Sequence, residues 1–185
     1  MLLTEEAIVV PGTGKTCTSI AIAEGLKDDK QIIVMTPASL RANYISQLKF
    51  CGDLLFKKHQ YWEFINTVGK KNSEKIPTLS EMLNISEKFI KSNGGAWFVN
   101  VKKESNFDEL TTDEKESLDK QLNEMIKAKY KFINYNGLRQ SHVDTLSRDG
   151  KINPFNNKVI IIDEAHNFIS RIVNKLNKSS SISMR

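Results

Sequence analysis

Two short groups of residues in this chain have the types and order that phosphate-transfer chemistry requires. The first is the glycine-rich stretch Gly12-Thr13-Gly14-Lys15-Thr16. Glycines permit a tight turn whose backbone N–H groups can surround phosphate oxygens. We expect Lys15 to reach the outer phosphates of a nucleotide and the Thr16 hydroxyl to bind Mg²⁺. The stretch therefore predicts a site for ATP and Mg²⁺.

The second group is a pair of acids, Asp163 and Glu164, which directly follows the apolar run Val159–Ile162. Ligands of parallel sheets bind at the edge where the strands end. Asp163 is predicted to hold the metal and Glu164 to orient and deprotonate the attacking water, because adjacent acids can divide these roles. His166 is predicted to sense the nucleotide and relay its state to a neighbouring domain. An Asp-Glu pair also complements the dipole of a helix that starts there, so the glycine-rich stretch earlier in the chain is what favours catalysis.

Strands that alternate with helices are predicted to position both groups. The strands are Ala7–Val10, Gln31–Met35, Lys131–Asn134 and Lys158–Ile162. The first strand runs into the glycine-rich stretch, and helix formers continue from Thr16 to Leu26. Continuously apolar strands are typical of a parallel sheet that is covered on both faces. The pattern predicts an α/β fold with a mostly parallel sheet and helices on both faces.

The region from about residue 54 to residue 130 interrupts this alternation. We interpret it as an inserted helical and irregular segment within a single domain that spans residues 1–185. Inside it we predict one strand, Ala96–Val101, and one helix that is opened by Thr111 and Glu114 at the spacing of a capping box. The sequence does not predict a function for this segment.

Composition sets wide limits on the partners of this chain. Of its 185 residues, 27 are Lys or Arg and 22 are Asp or Glu, which gives a formal net charge of +5. An anionic partner such as nucleic acid is compatible with that charge, but a solvated lysine surface explains it as well. The apolar runs are far shorter than the roughly 20 residues of a membrane span. We expect an intracellular protein, cytoplasmic or nuclear, without a membrane partner.

Four side chains, those of two cysteines and two tryptophans, could either pack in the core or belong to a functional site. Cys17 and Cys51 lack the paired spacing of a zinc site or a redox motif, so we predict reduced, partly buried thiols. Trp62 and Trp97 are predicted to be core residues rather than platforms for stacked bases.

Three stretches of the sequence together resemble motifs I, Ia and II of the superfamily 2 DEAD/DEAH-type helicases. They are Gly12-Thr13-Gly14-Lys15-Thr16, Thr36-Pro37-Ala38-Ser39-Leu40 and Asp163-Glu164-Ala165-His166. The resemblance implies a P-loop NTPase with a RecA-like fold, in which the first motif is the Walker A loop and the third is the DEAH box. The sequence around Pro37–Gly52 and Asn134–Leu138 further resembles that of helicase-like proteins of large cytoplasmic DNA viruses. A viral origin would also allow a location in a virion or a viral factory.

The resemblance implies contacts to a DNA or RNA backbone on the motif Ia side of the sheet. Thr36, Pro37 and Arg41 are the residues that it places there, and such phosphate contacts give no sequence specificity. Tyr135 lies in a strand-end stretch where related motors carry a Thr-Tyr element, so it is a further candidate. A plain strand-to-helix turn explains that stretch as well.

A complete motor of this family also has a second RecA-like domain that brings an arginine finger to the γ-phosphate. We expect that domain to be absent from this chain, so a separate domain or a partner chain would supply the arginine. Because an arginine finger contributes about 10³–10⁵ in rate, the isolated chain is predicted to be weakly active.

The sequence is also compatible with two other functions. An AAA+ ATPase carries a similar glycine-rich loop, although Lys15 and Asp163 are farther apart than a compact AAA+ core needs. An ATP-gated docking module would bind nucleotide and present a surface to a partner without performing catalysis.

Overall fold

The structure is a computed structural model that describes residues 14–26 and 29–183. The predicted strand Ala7–Val10 and the candidate site residues Gly12 and Thr13 lie outside the described residues. The helices are α1 Lys15–Leu26, α2 Arg41–Cys51, α3 Lys70–Ser73, α4 Ile76–Leu83, α5 Glu87–Ser92, α6 Thr112–Lys129, α7 Gln140–Ser147 and α8 Ala165–Ser183. The strands are β1 Gln31–Thr36, β2 Trp62–Asn66, β3 Gly95–Val99, β4 Tyr130–Asn134 and β5 Lys158–Ile162. Within the described ranges, no helix has the length and apolar content to cross a membrane.

A three-stranded parallel sheet with the order β4-β1-β5 forms the centre of the molecule. The middle strand, β1, is buried from Ile32 onward, as its apolar sequence predicts. Ile32 and Val34 pack in the cluster that contains residues of α1, α2 and α6. Ile33 and Met35 point to the other face, where they join residues of α7 and α8. The α/β prediction with helices on both faces is therefore confirmed, and the arrangement is compatible with a RecA-like fold.

The segment from about residue 54 to residue 130 is more regular than the sequence predicts. Strands β2 and β3 pair as an antiparallel sheet in which Phe64 lies opposite Trp97. Strand β3 and helix α6 confirm the two predicted elements, whereas β2, α4 and α5 were not predicted. Helix α6 begins at a capping box, since the Thr111 side chain accepts the Glu114 N–H and the Glu114 side chain accepts the Thr111 N–H.

This segment shares one hydrophobic cluster with the parallel sheet. Trp62 from β2, Trp97 from β3 and Leu122 from α6 are at most 4% exposed, and they belong to the same cluster as Ile32. The prediction that both tryptophans are core residues is confirmed. The limits of the segment as an insertion stay a prediction.

The two cysteines form a disulfide between α1 and α2. The Cα atoms of Cys17 and Cys51 are 5.7 Å apart, although the residues are 34 positions apart in sequence. The helices that carry them pack against the same face of the sheet, where the Ser19 and Tyr44 hydroxyls also meet at 3.1 Å. The prediction of two reduced thiols is wrong, because sequence spacing does not report the packing of two neighbouring helices.

Candidate nucleotide site

The predicted motif Ia threonine and the motif II aspartate meet where β1 and β5 end side by side. The Asp163 N–H donates to the Met35 carbonyl at 2.9 Å, which extends the pairing of the two strands by one residue. The Thr36 hydroxyl, on a residue that is 1% exposed, donates to the Asp163 Oδ2 at 3.3 Å. The parallel sheet thus brings two residues that are 127 positions apart in sequence to one edge.

The start of α1 supplies the described part of the glycine-rich stretch. Gly14 has a φ of 76°, in the left-handed region that glycine tolerates. Its carbonyl accepts the Thr18 N–H at 2.9 Å, so the first helical turn closes directly on it. Lys15 is exposed and Thr16 is half-buried. Burial raises the pKa of Asp163 overall, and the positive charge of Lys15 is the smallest of the influences that oppose this rise.

Opposing influences act on the Asp163 carboxyl, and their net effect raises its pKa. Burial makes the largest contribution, and the negative charge of Glu164 adds to it. The hydrogen bond from Thr36, the Glu164 N–H and the charge of Lys15 act in the opposite direction. A carboxylate that is costly to ionise in the protein alone gains from a cation beside it, because the cation favours the charged form.

The donor set fits a magnesium ion that arrives with a nucleotide. Thr16 and Asp163 offer the hard oxygen ligands that Mg²⁺ prefers. Among residues 14–26 and 29–183, no group of three or more His, Cys, Asp or Glu side chains could hold a metal ion by itself. Mg²⁺ usually binds through one or two protein oxygens together with substrate phosphates. A Mg²⁺ site at Thr16 and Asp163 stays a prediction.

Glu164 occupies a conformation that is unusual for its residue type. Its φ is 54°, in the left-handed region, between the end of β5 and the start of α8. Its carboxylate lies 3.3 Å from the Nδ1 of His166, whose side chain is 72% exposed. The residue predicted to activate water and the residue predicted to sense the nucleotide are thus in contact. A non-glycine residue in such a conformation often marks a functional site.

The candidate nucleic-acid residues lie in different environments. Thr36 and Pro37 are buried, and Tyr135 is 3% exposed. The Tyr135 hydroxyl points toward the acid pair and donates to the carbonyl oxygens of Asp163 and Glu164. Arg41 is exposed, with its guanidinium 5.1 Å from the centroid of the Phe132 ring. Of these candidates, Arg41 presents its side chain to solvent.

Sequence reasoning missed the side chains that support the acid pair. Thr36 was predicted to face nucleic acid, which stays a prediction, and its hydroxyl also contacts Asp163. Tyr135 was interpreted in the same way, and its hydroxyl holds main-chain carbonyls. The available signal was positional, because both residues stand at the carboxyl ends of strands that flank one another in a parallel sheet.

One known protein shows limited similarity to this chain. A protein of Acanthamoeba polyphaga mimivirus, named "Putative ATP-dependent RNA helicase", is 31% identical over 160 residues. Those residues are 86% of this chain and 20% of the viral protein, so the chain spans about one fifth of the length of that relative. No protein-family model and no solved structure matches the chain. The similarity supports a helicase-related viral origin without assigning a family.

Proposed function

We propose that this chain is the ATP-binding motor domain of a helicase or translocase that couples ATP hydrolysis to movement on, or remodelling of, DNA or RNA. The name of the mimivirus relative supports this class, since it describes an ATP-dependent enzyme that acts on RNA. The three-stranded parallel sheet with helices on both faces is compatible with the RecA-like, P-loop class.

The observation that carries the proposal is the contact of two separated sequence elements at one sheet edge, with the start of a third on a neighbouring helix. Thr36 donates to Asp163 at 3.3 Å, and α1, which begins at Lys15, lies beside β5. The three residues belong to the stretches that resemble motifs Ia, II and I. A nucleotide motor requires this convergence, because the phosphates, the metal and the attacking water all meet at the carboxyl edge of the sheet.

Each residue has a role that follows from its chemistry. Lys15 and the backbone N–H groups at the start of α1 bind phosphate oxygens, and Gly12, Thr13 and Gly14 complete that loop. Thr16 and Asp163 hold Mg²⁺, which neutralises charge on the phosphates when it is bound.

The remaining residues activate the attacking water, transmit the state of the nucleotide and contact the nucleic acid. Glu164 orients the attacking water and accepts its proton. His166, in contact with Glu164 at 3.3 Å, transmits the state of the nucleotide. Arg41 contacts the nucleic-acid backbone from the start of α2. A second RecA-like domain or a partner chain supplies the arginine finger.

Equilibrium binding of a fluorescent ATP analogue with Mg²⁺ tests the proposal. We expect micromolar binding by the native chain and loss of that binding in Lys15→Ala. Asp163→Ala should lose the dependence on Mg²⁺. Lys88→Ala removes a lysine from α5, outside the site, and serves as the matched control that should bind normally. Failure of the native chain to bind, or equal binding by Lys15→Ala, would contradict the proposal.

Hydrolysis separates the motor from the alternative functions. A motor domain should hydrolyse ATP faster when single-stranded DNA or RNA is added. An ATP-gated docking module should bind ATP without that stimulation. An AAA+ ATPase should show activity that depends on self-association rather than on nucleic acid.

A further inference from the structure

Tyr135 is buried beside the acid pair, at the point where β4 ends. Its ring meets the ring of Phe168 edge-on, with 5.3 Å between their centroids. Its hydroxyl lies 3.1 Å from the carbonyl oxygen of Asp163 and 3.1 Å from that of Glu164. A hydroxyl has one hydrogen, which these two acceptors share. A single side chain from the turn that follows β4 therefore holds both main-chain carbonyls of the acid pair.

The backbone that Tyr135 holds is conformationally costly. The left-handed φ of 54° at Glu164 costs a non-glycine residue about 1–2 kcal/mol. Such a conformation persists where its surroundings over-determine it. The Glu164 carbonyl also accepts the Asn167 N–H at 2.9 Å. Hydrogen bonds to both carbonyls fix the two peptide planes, and the planes set the direction in which the Glu164 side chain leaves the backbone.

The turn that carries Tyr135 is fixed to the helix that follows the acids. The Asn134 side chain accepts the Asn136 N–H at 3.0 Å and closes the turn. The Asn136 side chain in turn accepts a hydrogen bond from the Arg171 guanidinium of α8 at 3.1 Å. These two hydrogen bonds hold the turn that carries Tyr135 and link it to α8.

We propose that Tyr135 is a positioning residue for ATP hydrolysis, because its hydroxyl fixes the Asp163 and Glu164 carbonyls and so aims the Glu164 carboxylate at the attacking water. This inference rests on the proposed function and deepens it. Tyr135 acts through the backbone and does not touch the nucleotide. Loss of the hydroxyl should therefore slow the chemical step and leave nucleotide binding unchanged.

Tyr135→Phe removes the hydroxyl and keeps the ring against Phe168. Tyr130→Phe is the matched control, since Tyr130 is equally buried and its hydroxyl donates to Glu24 at 2.6 Å, away from the acid pair. We expect both variants to bind the ATP analogue with native affinity. In single-turnover hydrolysis, Tyr135→Phe should be about tenfold to a hundredfold slower than Tyr130→Phe, the range in which misplacement of a catalytic base falls.

A second measurement reports on the positioning without turnover. The backbone carbonyls of Asp163 and Glu164, labelled with ¹³C, should shift in the NMR spectrum of Tyr135→Phe and stay in place in Tyr130→Phe. Unchanged carbonyl resonances, or native hydrolysis by Tyr135→Phe with intact binding, would overturn the inference. Failure of the native chain to bind ATP would instead reject the proposed function, and the carbonyl shifts would still decide whether Tyr135 holds the acid pair.

Discussion

Asp163 and Asp119 are both partly buried aspartates, but their surroundings shift the pKa of the carboxyl group in opposite directions. Burial raises the pKa of Asp163, and the hydrogen bond from Thr36 and the charge of Lys15 offset that effect in part. Burial also acts to raise the pKa of Asp119, but hydrogen bonds from Lys49 and Lys58 outweigh it and leave the pKa lowered. One carboxylate is short of positive partners and the other has two within 2.7 Å.

The difference is that Asp163 keeps a net burial cost, whereas two lysines more than offset the burial cost of Asp119. Asp119 ties α6 to α2 through Lys49, whose side chain is 7% exposed. Asp163 instead stands beside Glu164, whose left-handed backbone adds further cost. At the edge of the parallel sheet the burial cost falls on an anion, which a bound cation could relieve. At the ion pair near α6 the remaining burial cost falls on Lys49, whose pKa is lowered. Stability measurements can test this contrast.

Large-to-small substitutions in the two regions should differ most. Trp62→Ala should lower the free energy of unfolding by about 3–5 kcal/mol, because Trp62 is 2% exposed and its indole N–H donates to the Lys58 carbonyl. Ile172→Ala, on the helix α8 that follows the acid pair, should change it by less than about 1 kcal/mol, because Ile172 is 45% exposed. Urea denaturation measures both, and equal losses would remove the contrast.

Reduction of the disulfide should have the next largest effect. A cross-link between residues 34 positions apart restricts the unfolded chain, so reduction should lower the free energy of unfolding by about 3–4 kcal/mol. Denaturation with and without a thiol reductant measures the change. The double variant Cys17→Ser with Cys51→Ser is the control and should be insensitive to the reductant. Two free thiols in the untreated, unfolded protein would contradict the disulfide.

Removal of the ion pair between Asp119 and Lys49 should destabilise the folded protein. Asp119→Asn should lower the free energy of unfolding by about 2 kcal/mol at neutral pH, because it leaves the Lys49 amine buried without an anionic partner. The folded-state pKa of Asp119 lies below its ordinary 3.8. Its contribution is therefore present above pH 3.8 and is lost as the pH falls through the folded value. A loss that stays constant across this acid range would argue against the ion pair.

The central sheet could be predicted from the sequence because its signals are local. An unbroken apolar run marks β5, and the acids that follow it mark the sheet edge. The capping box at Thr111 likewise uses residues three positions apart. Periodicity and short spacings carry this information, so these elements were predicted within one or two residues of their limits.

The missed features depend on distant partners. Strand β2 alternates weakly, and its partner β3 lies about 30 residues further along the chain. The Cys17–Cys51 disulfide and the contact of Thr36 with Asp163 also join residues that no local pattern connects. The interior direction of the Tyr135 side chain follows from packing against Phe168, which the sequence does not reveal.

The smallest effect should have the opposite sign, and it tests the acid pair directly. Because the folded-state pKa of Asp163 is raised above 3.8, the native state prefers the protonated carboxyl. This preference stabilises the protein below pH 3.8 and is lost as the pH rises through the folded value, so the ionised carboxylate is a burden at neutral pH. Asp163→Asn should therefore raise the free energy of unfolding at neutral pH, by less than about 1 kcal/mol because the group is partly exposed and keeps Thr36 as a neighbour.

The gain in stability from Asp163→Asn should disappear below pH 3.8, where Asp163 is protonated in both the folded and the unfolded state of the unsubstituted protein. The same variant should lose Mg²⁺-dependent nucleotide binding, since an amide is a far weaker ligand for Mg²⁺ than a carboxylate. A variant that is more stable but loses Mg²⁺-dependent nucleotide binding is the result expected if Asp163 serves ligand binding rather than stability. Stability that falls in Asp163→Asn, as it should in Asp119→Asn, would place both aspartates in the same structural class and reject the contrast between the two regions.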